Sequence, residues 1–136
     1  MFTKYLPIAV FALGIVGIAG YQYRVELLDV LCGTTPPAPK AQIEEALENN
    51  AMILDVRMYV ETRKEGANLI PEAKNIPLLR LLWNLDGLPR DRTIITYCES
   101  GKRAGKVADM LNARGFKAIS GGGILNLQKI LAGLKE

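Results

Sequence analysis

Apolar residues crowd the start of the chain and then fall into short alternating units. Lys4 is followed by no charged residue until Arg24, and Leu6 to Gly20 is a dense apolar run. From Ala41 onward the period changes repeatedly. Ile43, Ala46 and Leu47 mark one face of a helix that stops at Asn49-Asn50. Met52 to Val56 is a short apolar run that fits a buried strand, and Ala73 to Leu78 gives another, ended by Pro77. Leu78 to Leu88 reads as helical, broken at Asp86-Gly87. Thr93 to Tyr97 is a β-rich run. Arg103 to Arg114 is a helix with Val107, Met110 and Leu111 inward and Gly115 at its C-terminal cap. Lys117 to Ser120 is a strand and Leu125 to Leu134 a final helix. Strands separated by helices predict an α/β fold, a small parallel sheet flanked by helices.

The first segment stands apart. Counted from Tyr5 to Tyr23, a helix there would be about 28 Å long, close to the ~30 Å of a hydrocarbon core. Tyrosines at both ends suit a membrane interface. A retained transmembrane anchor, a cleaved signal peptide ending near Gly17-x-Ala19 and a buried apolar helix all fit the pattern. Three parts follow: residues 1–24 as anchor or signal, 25–40 as a Pro-rich linker, and 41–136 as the folded domain. Lys4 and the α-amino group place the N-terminus inside by the positive-inside rule. The domain is then expected outside the cytoplasm, membrane-anchored through residues 5–23, or exported to the periplasm if the segment is cleaved.

Composition narrows the chemistry. Of 136 residues, 49% are hydrophobic and 23% charged, which is globular. A net charge of +3 without a basic tract does not point to nucleic acid. Histidine is absent, which removes Ser-His-Asp triads, Cys-His pairs and histidine metal sites within one chain. Neither a metal nor a cofactor is expected. Two cysteines, Cys32 and Cys98, make no disulfide framework. Cys32 sits in the linker without a motif and reads as a free thiol.

Cys98 is different. It stands where a strand ends and a helix begins, the end of an open α/β sheet where ligands bind. Glu99-Ser100-Gly101-Lys102-Arg103 follows it. Unpaired N–H groups and the helix dipole carry positive charge there. Gly101 lets the backbone curl so that successive amides point inward. Lys102 and Arg103 add full charges. All of this favours thiolate over thiol in an electropositive, exposed setting, and prepares a pocket for an anion. Glu99 opposes an anion and is expected to point to solvent. Asp55 and Arg57 read as structural: Asp55 closes the turn after its strand, and Arg57 pairs with an acid such as Glu61.

Cys98-Glu99-Ser100-Gly101-Lys102-Arg103 resembles the C-x-x-G-x-R loop of single-domain rhodaneses, the thiosulfate sulfurtransferases. Ile53 to Arg57 is similar to the family's L-D-V-R, and Glu61 falls where the family has an acid. Leu69 to Leu78 resembles H-I-P-G-A-x-N-I-P-L, with Leu69 for His and Glu72 for Gly. "LPRDRTIITYC" and "ARGFKAISGGG" resemble the family's lead-in to the cysteine and its closing glycine pair, although the tryptophan often found after that pair is missing. The short apolar segment ahead of one such domain resembles exported or membrane-anchored members.

The resemblance implies a ping-pong sulfur transfer. The Cys98 thiolate takes the outer sulfur of a small anionic donor such as thiosulfate, becomes a persulfide, and passes that sulfur to a thiol or cyanide-like acceptor. Amides from Glu99 to Arg103 would stabilise the anions, Arg103 and Lys102 would draw in the donor, and Ser100 would add a hydroxyl donor. Two rivals remain. A phosphatase or arsenate reductase on this fold places five residues between cysteine and arginine, whereas four stand here. The other is a non-enzymatic module, a sulfur carrier or a membrane-tethered interaction domain; an intact cysteine argues against a dead domain but is compatible with a carrier.

Overall fold

The computed structural model describes residues 35–136. The apolar helix expected in residues 1–24 lies outside the described residues, as does Cys32. Among those described, no helix is long and apolar enough to cross a membrane.

Nine elements follow one another: α1 (Lys40–Glu48), β1 (Met52–Asp55), α2 (Tyr59–Thr62), β2 (Lys74–Asn75), α3 (Leu78–Leu81), β3 (Ile94–Cys98), α4 (Lys102–Ala113), β4 (Ala118–Gly123) and α5 (Ile124–Leu134). The four strands form one parallel sheet in the order β2-β1-β3-β4. The expected parallel sheet is therefore present with its four strands in the expected chain order, although the second is only Lys74–Asn75 of the expected Ala73 to Leu78, and Leu78 already begins α3. The helix expected over Leu78 to Leu88 is a single turn, α3, followed by turns to Leu88. Asn84, whose side chain accepts from the Asp86 N–H at 2.7 Å, caps a turn where a continuing helix would run. The last strand runs three residues further than expected, through Gly121 to Gly123.

Alternation along the strands divides the core in two. Leu54, Val56, Ile94 and Cys98 face Ala104, Val107 and Leu111 of α4 on one side. Ile53, Ile95 and Tyr97 face Ile43 of α1 and Ile124, Leu127 and Ile130 of α5 on the other. Such two-sided burial is why the strands read as apolar runs rather than as alternating ones. Helix α4 ends where Gly115 takes φ +83°. There the Phe116 N–H reaches Leu111 O (3.1 Å) and the Gly115 N–H reaches Asn112 O (3.1 Å), a Schellman closure.

Thr35 to Pro39, the end of the expected linker, lie against the domain. The Ala38 N–H donates to Ser120 O of β4 at 2.8 Å, and Thr35 Oγ1 donates to Asp109 Oδ2 of α4 at 3.1 Å. Gly105 permits this approach, because a Cβ there would stand 2.5 Å from the Thr35 Cβ.

Candidate active site

Strand order reverses between β1 and β3, since β2 lies outside β1 while β4 lies outside β3. Ligands bind at such a switch point, beyond the carboxyl ends of the strands. Here those ends are Asp55 and Cys98, each leading into a loop: Val56 to Met58 after β1, and Glu99 to Gly101 after β3.

Cys98 closes β3 with its side chain on the α4 face. Its Sγ accepts a hydrogen bond from the Gly101 N–H at 3.0 Å, so the loop curls back onto the sulfur. Gly101 makes the curl with φ +93°, the left-handed region that glycine enters freely. A side chain at Gly101 would also strike the neighbouring strand, because a Cβ there would lie 3.0 Å from Gly122 C and Gly123 N. The glycine run thus lets β4 and the sulfur loop touch backbone to backbone. The pairing of β3 with β4 shifts between Thr96 and Cys98, and Gly122 takes φ +78° in that irregularity.

The thiol is fully buried, which corrects the expectation of an exposed cysteine. Strand alternation is the cause. Cys98 shares its face with Ile94, and α4 lies directly over that face. Glu99, Ser100 and Lys102 are exposed, Gly101 is buried and Arg103 is half-buried.

Arg103 is committed to Glu61. Its Nη1 donates to Glu61 Oε2 (2.7 Å) and its Nη2 to Glu61 Oε1 (2.6 Å), a bidentate fork. Hydrogen bonding to Glu61 raises the guanidinium above its ordinary value, burial opposes this, and Cys98 adds a smaller push upward. In return, the Arg103 hydrogen bonds hold Glu61 down at about 2. Glu61 also accepts from the Met58 N–H at 2.8 Å and so fixes the start of α2.

Arg57 therefore does not pair with Glu61, contrary to expectation. Its side chain is 1% exposed and reaches the other face of the sheet. Nε lies 3.0 Å from Asp55 Oδ1 and Nη2 lies 2.8 Å from Asp55 Oδ2. The Arg57 N–H donates to Asp55 Oδ1 at 3.0 Å, which closes the turn as expected. Nη2 also reaches Asn68 O at 2.9 Å. The last arm, Nη1, donates to Glu99 Oε2 at 3.0 Å. Glu99 is thus exposed, as expected, and also tied to the buried arginine. Tyr97, opposite Asp55 in the β1–β3 register, donates its hydroxyl to Asp55 Oδ2 at 2.9 Å. Burial, then the Asp55 charge, pushes the phenol well above its ordinary range. Tyr97 and the Arg57–Glu99 tie are the parts that sequence reasoning missed. The signal for Tyr97 was available: residues adjacent on a strand face opposite sides, so Tyr97 must turn away from the sulfur and toward the Asp55 side.

The sequence pattern of the rhodanese-like domain matches residues 39–126. The chain belongs to the rhodanese-like domain family. A tRNA sulfurtransferase of Desulfurococcus amylolyticus is 30% identical over 117 residues, covering 85% of this chain and 22% of that protein. The rhodanese-like chain thus spans about a fifth of that relative's length. A sulfurtransferase of Allochromatium vinosum is 27% identical over 79 residues, 58% of this chain and 66% of that protein. Among solved structures, a rhodanese homolog from Thermus thermophilus is similar at 30% identity and TM-score 0.51, over 63% of this chain and 93% of that one. The reduced Bacillus anthracis CoADR-RHD is similar at 30% identity and TM-score 0.57, over 73% of this chain and 17% of that one.

Proposed function

We propose that this rhodanese-like domain is a sulfurtransferase that carries a sulfane sulfur as a persulfide on Cys98. The observation that carries the reading is the Gly101 N–H on the Cys98 sulfur at the strand-to-helix switch point. With thiosulfate as donor, the Cys98 thiolate attacks the outer sulfur. The new S–S bond forms as the sulfur–sulfite bond breaks, and sulfite leaves with the electron pair. A nucleophilic acceptor then attacks the outer sulfur of the persulfide and returns the thiolate. The charge stays on sulfur throughout, so no side chain has to relay a proton, in keeping with a chain without histidine. The Gly101 amide faces the sulfur, and Arg103 sits close enough for Cys98 to affect its titration.

Thiosulfate:cyanide turnover by the wild type and by Cys98→Ser tests the proposal, with para-nitrophenyl phosphate as a control substrate. Sulfur transfer by the wild type alone is the expected result. Phosphate hydrolysis in its place would assign the loop to oxyanion ester chemistry. The complete burial of Cys98 favours a second reading, a non-enzymatic carrier or interaction module. That reading predicts a persulfide without turnover.

We propose further that residues 1–24 tether the domain to a membrane, with residues 41–136 outside the cytoplasm. The apolar run and its single flanking lysine support this. Fractionation of the native host, with the intact mass of the recovered protein, tests it. A soluble protein retaining residues 1–24 would refute the anchor.

A further inference from the structure

Gly122 is touched by two other parts of the chain. One is the sulfur loop: a Cβ at Gly101 would lie 3.0 Å from Gly122 C and Gly123 N, and a Cβ at Gly123 would lie 2.8 Å from Glu99 O. The other is Pro37, whose Cβ would stand 3.1 Å from a Cβ at Gly122. Gly122 is buried and takes φ +78°, at the shift in the pairing of β3 with β4. A side chain there would be strained by that φ and would press on the Pro37 ring.

Ser120 joins the same parts by hydrogen bonds. Its carbonyl accepts from the Ala38 N–H at 2.8 Å, and its hydroxyl oxygen accepts from the Gly122 N–H at 3.2 Å. Ser120 is 5% exposed, so both bonds are shielded from water. Thr35, bonded to Asp109 of α4, fixes the segment on the other side of Pro37 in sequence. Contact thus runs unbroken from Pro37 through Gly122 to Gly101, whose N–H lies 3.0 Å from Cys98 Sγ. Residues 35–39 carry no ionisable side chain. The charges about the sulfur are Glu99 with Arg57, Arg103 with Glu61, and Lys102; they come from the loop, from β1 to α2, and from α4. Pro37 can therefore act on Cys98 through position but not through charge.

We infer that Pro37 is a positioning residue for Cys98. It keeps the Gly122 backbone against Gly101, and thereby keeps the Gly101 N–H on the sulfur. The inference rests on the Cys98 sulfur-transfer reading and adds a part from outside the loop. A donor N–H favours thiolate over thiol. Without the Pro37 ring that amide is no longer held, the thiol form gains, and attack on any donor slows near neutral pH. Raising the pH restores the thiolate and with it the rate.

The test uses the full chain with Cys32→Ser, which leaves Cys98 as its one thiol. Two quantities are followed across pH: the ultraviolet absorbance of the thiolate, and single-turnover loading from thiosulfate read by intact mass. Pro37→Gly should move the Cys98 titration upward. Its loading near neutral pH should fall about three- to tenfold, and should come within about twofold of the parent on the alkaline plateau. Pro37 is exposed, so the variant keeps its core. Thr35→Val unpins the segment at Asp109 and should act in the same direction, more weakly; it serves should Pro37→Gly fail to fold. A titration unchanged in both variants, or a loading loss of equal size at every pH, overturns the inference. So does a lower urea midpoint as the only effect. The thiolate titration needs no sulfur chemistry, which keeps the two readings apart. A shifted titration beside a parent that does not load sinks only the sulfur transfer. Normal loading by the parent beside an unshifted titration sinks only the role of Pro37.

Discussion

Arg103 and Glu61, 42 residues apart in sequence, meet in a two-bond fork of 2.6 and 2.7 Å. The fork joins the helix that follows the sulfur loop to the turn of helix that follows β1. It also leaves Arg103 able to serve an incoming anion only by sharing or releasing Glu61.

Replacing Arg103 with alanine should therefore act twice on an anionic donor. A cation is lost and the Glu61 carboxylate is left open. The KM for thiosulfate should rise about ten- to a hundredfold, the equivalent of about 1.5–3 kcal/mol for one charge-assisted bond. Discharge of the persulfide to a neutral thiol should fall less. Arg103→Lys should recover little, because an ammonium cannot reproduce the fork. The two half-reaction rates, measured separately, decide this. Equal losses in both would mean that Arg103 only shapes the loop.

The same pair makes stability depend on acid. Glu61 sits at about 2 in the folded chain against an ordinary 4.5. A depressed carboxylate adds stability above its unfolded value and loses it as pH falls through the folded one. Urea midpoints should thus drop between about pH 4.5 and 2 in the wild type. In Glu61→Gln that part of the slope should be missing, and an identical slope would show that other carboxylates dominate.

On the opposite face, Asp55 is held by Arg57 and Tyr97. Asp55→Ala strands a buried guanidinium and should cost about 3–5 kcal/mol. Tyr97→Phe removes one bond to a charged acceptor and should cost about 1.5–3 kcal/mol. Chemical denaturation gives both numbers. A Tyr97→Phe variant as stable as wild type would mean that the hydroxyl is not needed to keep Asp55 satisfied.

Gly101→Ala should remove persulfide formation while the fold survives. The strain is local: a left-handed φ and a Cβ pressed onto the Gly122–Gly123 backbone. Loading by thiosulfate, set beside the circular dichroism of the variant, is the check. Normal loading would show that the Gly101 amide need not face the sulfur.

Much of this fold was legible because parallel strands buried on both faces are short, apolar and punctuated by glycine or polar residues. Met52 to Asp55 and Ile94 to Cys98 are of that kind. The Leu78 to Leu88 segment misled because its leucines do have helical spacing. The Asn84 side chain bonds the chain into a turn there, a tertiary and local choice that spacing does not encode. The loop residues of the candidate site were also legible, since Cys98, Gly101 and Arg103 lie close together in sequence. Their partners were not. Which acid meets which arginine depends on two chain crossings at the switch point, so in place of the expected Arg57–Glu61 pair the fold makes Arg103–Glu61 and Arg57–Glu99. The burial of Cys98 was hidden for a related reason: the helix that supplies its favourable N-terminus also lies over its side chain.

The segment from Thr35 to Ala38 is a strap across α4 and β4. It is pinned at Asp109 and Ser120, and it crosses Gly105 and Gly122, of which Gly122 is also in contact range of the sulfur loop through Gly101. Gly105→Ala should lift it, seen as faster hydrogen exchange at the Ala38 amide, and unaltered exchange would show that Thr35 can move aside. While it is seated, Pro37 backs Gly122, and the Gly122 backbone in turn backs Gly101, so the strap braces from behind the glycine contact that curls the loop onto the sulfur.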